Sequence, residues 1–154
     1  MRRAARRGPV LVLAAALAGS ACALSRVGVA EVRLEQGQPC FGVSADEARH
    51  AGALNVHAIE LWDVSVLPAR RVWESSAEDE SRTRTLQGAQ CIRLDERPQG
   101  YRTTAGVVLE PARLYEVTLN LVPVRGRQTR HGYSARFCLP AAAPGAPRLL
   151  PLAP

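Results

Sequence analysis

The sequence has no lysine, few aromatic residues and no apolar run of transmembrane length near its N-terminus. Its 20 basic residues are all arginine, and Phe, Trp and Tyr make up 5% of the 154 residues. The apolar run 10–18 has nine residues, whereas a membrane-spanning helix needs about 20. This length disfavours a permanent helical span. Because alanine, glycine and proline are abundant, we attribute the missing lysine to coding bias and assign the arginines no function as a group.

The formal net charge of +6 belongs largely to the N-terminal region. Residues 1–21 include four arginines, so the remaining 133 residues hold 16 arginines against 14 acidic residues, a net charge of +2. A charge this small, carried by scattered arginines, gives no electrostatic footprint for nucleic acid. We therefore expect no nucleic-acid partner. The remaining length is that of a single domain able to bury a core.

The N-terminus has the three-part layout of a secretory signal peptide. Arginines at 2, 3, 6 and 7 precede the apolar run 10–18, and small residues follow at 19–21. Cys22 comes next, in a context that resembles a bacterial lipobox, where the cysteine is lipidated and becomes the mature N-terminus. We expect an envelope lipoprotein that faces the periplasm, and Ala23 favours the outer membrane. The alternative is plain secretion with a cut after Ala23, because Gly19 stands where lipoboxes usually have leucine.

Four segments are expected: a signal peptide over 1–21, a lipidated N-terminus and linker over 22–26, a β domain over 27–140, and a flexible Ala/Pro tail over 141–154. Apolar and polar residues alternate in short stretches between turn signals, which predicts strands rather than long helices. The predicted strands are 27–34, 40–43, 54–66, 71–74 at a sheet edge, 90–94, 106–109, 114–122 and 133–139. A helical turn capped by Ser44 is expected at 44–49. Charged loops are expected at 75–84 and 123–132.

One local pattern predicts a particular all-β fold. Leu109 and Pro111 precede Tyr115, as in the tyrosine corner of immunoglobulin and fibronectin type III domains. In that motif the tyrosine hydroxyl reaches backbone groups that a crossover between sheets leaves unpaired. We therefore expect an immunoglobulin/fibronectin-III-like β-sandwich. The alternative is that Tyr115 is an ordinary strand residue.

The order of these features resembles a family of small proteobacterial periplasmic lipoproteins labelled as type VI secretion immunity proteins. The resemblance covers roughly residues 10–140. It is carried by the lipobox Cys22, Cys40-Phe41, Ile59 and Leu61, Cys91, Leu109 through Tyr115-Glu116-Val117, and the closing Tyr133 through Leu139. It implies a partner, a toxic effector protein whose active site or substrate path the chain would occupy. It also implies a disulfide between Cys40 and Cys91, with Cys40–Cys138 as the second choice.

No pattern of catalytic residues is evident. The chain has three histidines, His50, His57 and His131. Their spacing is not that of a zinc site. Ser65 and Ser134 lack the flanking glycines of a nucleophile elbow, and the acidic run 78–80 lacks the spaced carboxylates of a calcium loop. We expect no enzyme, no metal and no cofactor.

Three functions from different classes remain open. The resemblance favours a non-catalytic immunity protein, whose charged loops 74–84 and 123–132 are expected to contribute to the contact because loops on a rigid scaffold are free to vary. The first alternative is a structural or accessory envelope lipoprotein that binds another envelope protein or a small ligand. The second, which the residues favour least, is a hydrolase with an unrecognised site.

Overall fold

The computed structural model describes residues 27–126, 130, 132–139 and 150–152, which form ten strands and two short helices. The strands are β1 (Val27–Glu35), β2 (Gln38–Val43), β3 (Leu54–Asp63), β4 (Arg70–Ala77), β5 (Arg84–Leu86), β6 (Cys91–Arg93), β7 (Tyr101–Thr103), β8 (Leu114–Pro123), β9 (Gly132–Cys138) and β10 (Leu150–Leu152). The α-helix α1 spans Ala45–Ala51, and a 3-10 helix spans Glu80–Arg82. The predicted signal peptide 1–21, the linker 22–26 with Cys22, and His131 lie outside the described residues.

The strands form one curled sheet in the order β6-β2-β1-β9-β8-β3-β4-β7, with β5 beside β3 and β10 beside β9. β1 makes the sheet continuous because its two halves have different neighbours. Val27–Val29 pair in parallel with β9, and the stretch from Ala30 to Glu35 pairs antiparallel with β2. β1 therefore joins a small section (β1, β2, β6) to a larger one built on β9, β8, β3 and β4.

The core lies between the inner faces of these two sections. Phe41 of β2 packs against Trp73 of β4 and Phe137 of β9, with ring centroids 5.7 and 6.2 Å apart. All three side chains are at most 1% exposed. Because β2 belongs to the small section and β4 and β9 to the larger one, these contacts hold the two sections together. Truncating Phe41 to alanine is expected to cost about 3–5 kcal/mol.

The helical turn predicted at 44–49 is confirmed as α1. The Ser44 side chain accepts a hydrogen bond from the Glu47 N–H at 3.2 Å, which satisfies one of the amides that a helix N-terminus leaves unpaired. Asp46 and Glu47 lie in the first turn and Arg49 in the last, the charge order that complements the helix dipole. The helix is short, so it does not change the all-β class.

The hydrogen bond predicted for Tyr115 is confirmed. Its hydroxyl accepts the Glu110 N–H at 2.8 Å and lies 3.4 Å from the Glu110 carbonyl oxygen. The ring is 2% exposed and packs against Phe137 with a centroid distance of 5.7 Å. The backbone that enters β8 is thereby tied to the core. The all-β prediction is confirmed, and the finer immunoglobulin or fibronectin-III assignment stays a prediction.

One strand prediction needs a longer element and one is wrong. The stretch 71–74 is part of the longer β4, which pairs with β3, whereas β7 pairs with β4 only over 75–77, so 71–74 lies at the sheet edge as predicted. β4 runs on to Ala77 and buries Ser75, so the predicted loop 75–84 begins too early. The predicted strand 106–109 is wrong, because this stretch is not a strand. Tyr101–Thr103 form β7, which pairs with β4.

The predicted flexible tail also needs correction at one place. Leu150–Leu152 form β10, which pairs antiparallel with β9 over Arg136–Cys138. The edge of β9 is open there because β1 covers only Gly132–Ser134. Residues 140–149, 153 and 154 lie outside the described part of the chain. Within that described part, no helix has the length and hydropathy needed to cross a membrane.

Candidate protein-binding face

The predicted Cys40–Cys91 disulfide is confirmed, and the alternative Cys40–Cys138 is therefore wrong. The two Cα atoms lie 5.6 Å apart on the neighbouring strands β2 and β6. Cys138 is a free, half-buried thiol on β9. A carboxylate oxygen of Glu35 and the two bridged sulfurs lie within 4.8 Å of one another. Because both sulfurs are in the disulfide, this cluster offers no thiolates to a metal.

The histidines and serines considered as candidate catalytic residues lie on separate elements. His50 is exposed on α1, where its Nδ1 lies 2.7 Å from the Asp46 carbonyl oxygen. His57 belongs to β3, and Ser134 to β9. Ser65 bonds to the Leu114 backbone, donating to its carbonyl at 3.3 Å and accepting from its N–H at 2.7 Å. These contacts tie the loop after β3 to the start of β8.

Strand alternation gives the larger section a second side that faces away from the core. We call this side of β1, β9, β8, β3 and β4 the outer face. The pairing registers align its side chains in rows that cross the strands. One row is Val29, Ser134, Thr118, Glu60 and Glu74, and the next is Arg136, Glu116, Trp62 and Arg71. None of these side chains is buried, so the rows form one polar surface with a single tryptophan.

Trp62 and Arg71 are held in place by a network on this face. The Arg71 guanidinium lies 5.9 Å from the Trp62 ring centroid and bonds the carboxylates of Glu60 and Glu74 at 2.9 and 3.1 Å. The Trp62 indole N–H donates to Glu60 at 3.2 Å. Exposed ion pairs of this kind contribute only about 0–1 kcal/mol each to stability. Their main effect is to fix the rotamers of a tryptophan and an arginine before any partner arrives.

A depression lies on the same face beside this network. Its volume is about 390 Å³. Small side chains from three neighbouring strands line it, Ala58 of β3, Thr118 of β8 and Ser134 of β9, and Val27 and Glu60 also border it. The outer face is thus not flat, because short side chains in the middle are flanked by longer ones.

A buried carboxylate stabilises one end of the outer face. Asp63, 1% exposed, accepts hydrogen bonds from the Ser65 N–H and from Arg113, both at 3.0 Å. Burial raises the pKa of Asp63, but the hydrogen bonds from Ser65 and the positive charge of Arg113 together outweigh it, so the pKa lies below its ordinary value. The ionised Asp63 therefore holds the loop after β3 against the residue that precedes β8.

The arrangement suits binding to another protein. Tryptophan and arginine are the residues most enriched among those that dominate protein interfaces, and here they lie together, partly exposed and pre-ordered. Neither residue is among the sites predicted from the sequence, although the alternation of Ile59 and Leu61 with Glu60 and Trp62 indicates that Trp62 faces outward. Comparison with family models, with curated proteins and with solved structures finds no match to this chain.

Proposed function

We propose that this chain is a periplasm-facing lipoprotein, anchored in the outer membrane through Cys22, that acts as a non-catalytic binding protein and neutralises a type VI secretion effector. The pre-ordered Trp62 and Arg71 on the outer face are the observation that carries the binding role. The disulfide suits an oxidising compartment such as the periplasm. The effector as partner rests on the family resemblance, and the immunoglobulin-like sandwich is the fold we propose for it.

Neutralisation by binding requires a surface large enough for a stable complex. Five strands spaced about 4.8 Å apart and three rows of outward residues about 6.7 Å apart give the outer face roughly 500 Å². A standard interface buries about 800 Å² on each partner. The face is therefore a substantial part of such an interface but not all of it, and loops at one end of the sheet must supply the rest.

Substitution on the outer face tests the binding role. We expect Trp62→Ala to weaken the affinity for the effector encoded beside this gene by about thirtyfold, as removal of an interface residue worth about 2 kcal/mol does. Isothermal titration with the mature protein measures this. Arg97→Ala is the control, because Arg97 is exposed and lies between β6 and β7, outside both the outer face and the two charged loops. Equal affinities for Trp62→Ala and the wild type would exclude the outer face as the contact.

Anchoring is tested separately by metabolic labelling with a fatty acid. The wild type should incorporate the label, and Cys22→Ser should remain unlabelled and either stay as precursor or be released. An unlabelled mature wild-type protein that begins at Leu24 would contradict the lipid anchor. This result would leave the binding proposal standing, because the outer face is independent of Cys22.

The depression is the observation that favours the alternative of an accessory envelope lipoprotein. Its volume of about 390 Å³ is within the range of small-molecule sites, which are about 300–1,000 Å³. A small ligand or a short side chain of another envelope protein would occupy it. Ala58→Leu fills the depression without reaching Trp62. We expect this substitution to abolish binding in the accessory case and to reduce effector affinity less than Trp62→Ala in the immunity case.

A further inference from the structure

The position of the N-terminus relative to the sheet determines which end of the domain is anchored. Val27 pairs in parallel with Gly132, at the start of β9, and Leu54 pairs with Pro123 at the end of β8. We call this the anchor end. The opposite end carries the loops 64–69 and 104–113, since β3 and β9 finish there and β8 begins there. We call it the distal end.

The tether between lipid and domain is short. With Cys22 as the lipidated residue, 22–26 supply five residues, which reach at most about 18 Å when fully extended. A small protein domain is about 30 Å across. A folded partner therefore does not pass between the anchor end and the bilayer. The ten residues of β3 separate the distal end from the anchor end by up to about 33 Å along the strand.

The limited space between the anchor end and the bilayer restricts access to both charged loops that the sequence predicts at the contact. The segment 78–83 leads into β5, which pairs with Leu54–Val56, and the segment 124–126 follows the end of β8. Both segments thus belong to the anchor end. The distal end is instead marked by two apolar side chains, Leu67 at 98% exposure and Val108 at 87%.

An exposed leucine alone is common on protein surfaces, but the surroundings of Leu67 set it apart. Its loop follows Trp62 and Asp63 directly, so it lies at the end of the outer face next to the row that holds Trp62 and Arg71. The loop is also fixed at its base, where the Val64 N–H donates to the Leu114 carbonyl at 3.0 Å. The outer face supplies the tryptophan and arginine that are enriched among the residues dominating protein interfaces, and Leu67 adds an exposed apolar side chain at its distal edge.

We propose that the domain receives its protein partner at the distal end, with Leu67 entering an apolar pocket of that partner and the Trp62–Arg71 row lying beside it. This inference rests on the proposed lipid anchor and binding function. It supplies the loop area that the outer face lacks. It also assigns the loops of the anchor end to the space next to the bilayer.

Access of a large probe tests the orientation. Leu67→Cys and Val124→Cys, each in a Cys138→Ser background, are labelled with biotin-maleimide in the lipidated full-length mature protein. The protein is then inserted into preformed phosphatidylethanolamine–phosphatidylglycerol vesicles. Val124 is the matched control, because it is 47% exposed and follows β8 at the anchor end. Streptavidin should bind biotin at position 67 and not at position 124 on vesicles, and should bind both in detergent.

Binding of streptavidin at position 124 on vesicles, at the level seen in detergent, would overturn the inference. A wild-type protein that fails to float with the vesicles would instead show that the anchor itself is wrong, so the two failures are distinguishable.

Docking at the distal end is tested on the same vesicles with the adjacent effector. Leu67→Asp should reduce effector binding at least tenfold, and Val124→Asp should leave it within twofold of the wild type. Both side chains are exposed, so both variants should keep the wild-type melting temperature. Loss of binding in Val124→Asp but not in Leu67→Asp would place the partner at the anchor end and contradict the proposal, whereas a wild type that binds no effector would refute the proposed function.

Discussion

Removal of the disulfide between Cys40 and Cys91 should lower the stability of the domain more than any single surface change. The bridge joins positions 51 residues apart, and closing a loop of that length removes unfolded-state entropy worth about 4 kcal/mol on the loop-closure model. Domains of this size are stable by only about 5–15 kcal/mol in total. The bridge thus supplies a large share of the free energy of unfolding.

The double variant Cys40→Ala/Cys91→Ala is the appropriate perturbation. Cys40 is fully buried and Cys91 is 9% exposed, so serine would bury hydroxyl groups at an added cost of about 1–3 kcal/mol for each one left unpaired. Guanidinium denaturation followed by tryptophan fluorescence suits the measurement. Trp73 reports on the core, since its ring packs against Phe41, the residue next to Cys40.

We expect the double variant to lose about 4 kcal/mol, and its melting temperature to fall by roughly 12–18 °C. Cys138→Ala is the control, because Cys138 is half-buried and forms no bridge, so its loss should be at most about 1 kcal/mol. A double variant within 1 kcal/mol of the wild type, or a wild type whose stability does not change under reducing conditions, would refute the reasoning.

Three further predictions concern single residues. Tyr115→Phe removes the hydroxyl that accepts the Glu110 N–H and should cost about 0.5–1.5 kcal/mol in urea unfolding; no measurable loss would mean that water replaces the hydroxyl. Gly28→Ala places a Cβ 2.4 Å from the ring of Tyr133 and should lower the free energy of unfolding by about 1–3 kcal/mol. A melting temperature equal to that of the wild type would contradict this expectation. The folded-state pKa of Asp63 is lowered, so its ionised carboxylate contributes fully to stability above the unfolded-state pKa of about 3.9. That contribution is lost as the pH falls through the folded-state pKa. Asp63→Asn should flatten this part of the curve of stability against pH, and a variant curve identical to that of the wild type would contradict the role given to Asp63.

The sequence predicts the central strands because their alternation is regular. β8 buries Tyr115, Val117, Leu119 and Leu121 in strict alternation, and a period of two is the direct signature of a strand with one buried face. The capped turn before α1 and the tyrosine corner are similarly local, because each depends on residues within five positions of one another. Such features need no knowledge of the rest of the fold.

The misplaced elements depend on contacts that are distant in sequence. The end of β4, from Ser75 to Ala77, has the composition of a loop, and it is a strand because β3 pairs with it on one side and β7 on the other. The stretch 106–109 has the apolar composition of a strand but begins at Gly106, whose φ of 67° is incompatible with extended pairing. Residues 101–104, rich in threonine with one tyrosine, carried the better β signal.

The outer face could be predicted only in part. Trp62 and Glu60 face outward by alternation, but the rows that bring Trp62 next to Arg71 require the register of β3 with β4. That register shifts at a bulge between Leu61 and Trp62, and a second irregularity between Val56 and Ala58 shifts the pairing with β8. A bulge is decided by the packing of both strands. The parallel pairing of β1 with β9 is equally remote from any local pattern.

The proposed neutralisation is tested by the survival of cells that express the adjacent effector in the periplasm, measured with and without this protein. We expect cells without it to die, cells with the wild type to survive, and the two proteins to co-purify as a stable complex. Equal survival with and without the protein, in cells where the effector is toxic, would contradict the claim that this lipoprotein binds and neutralises it.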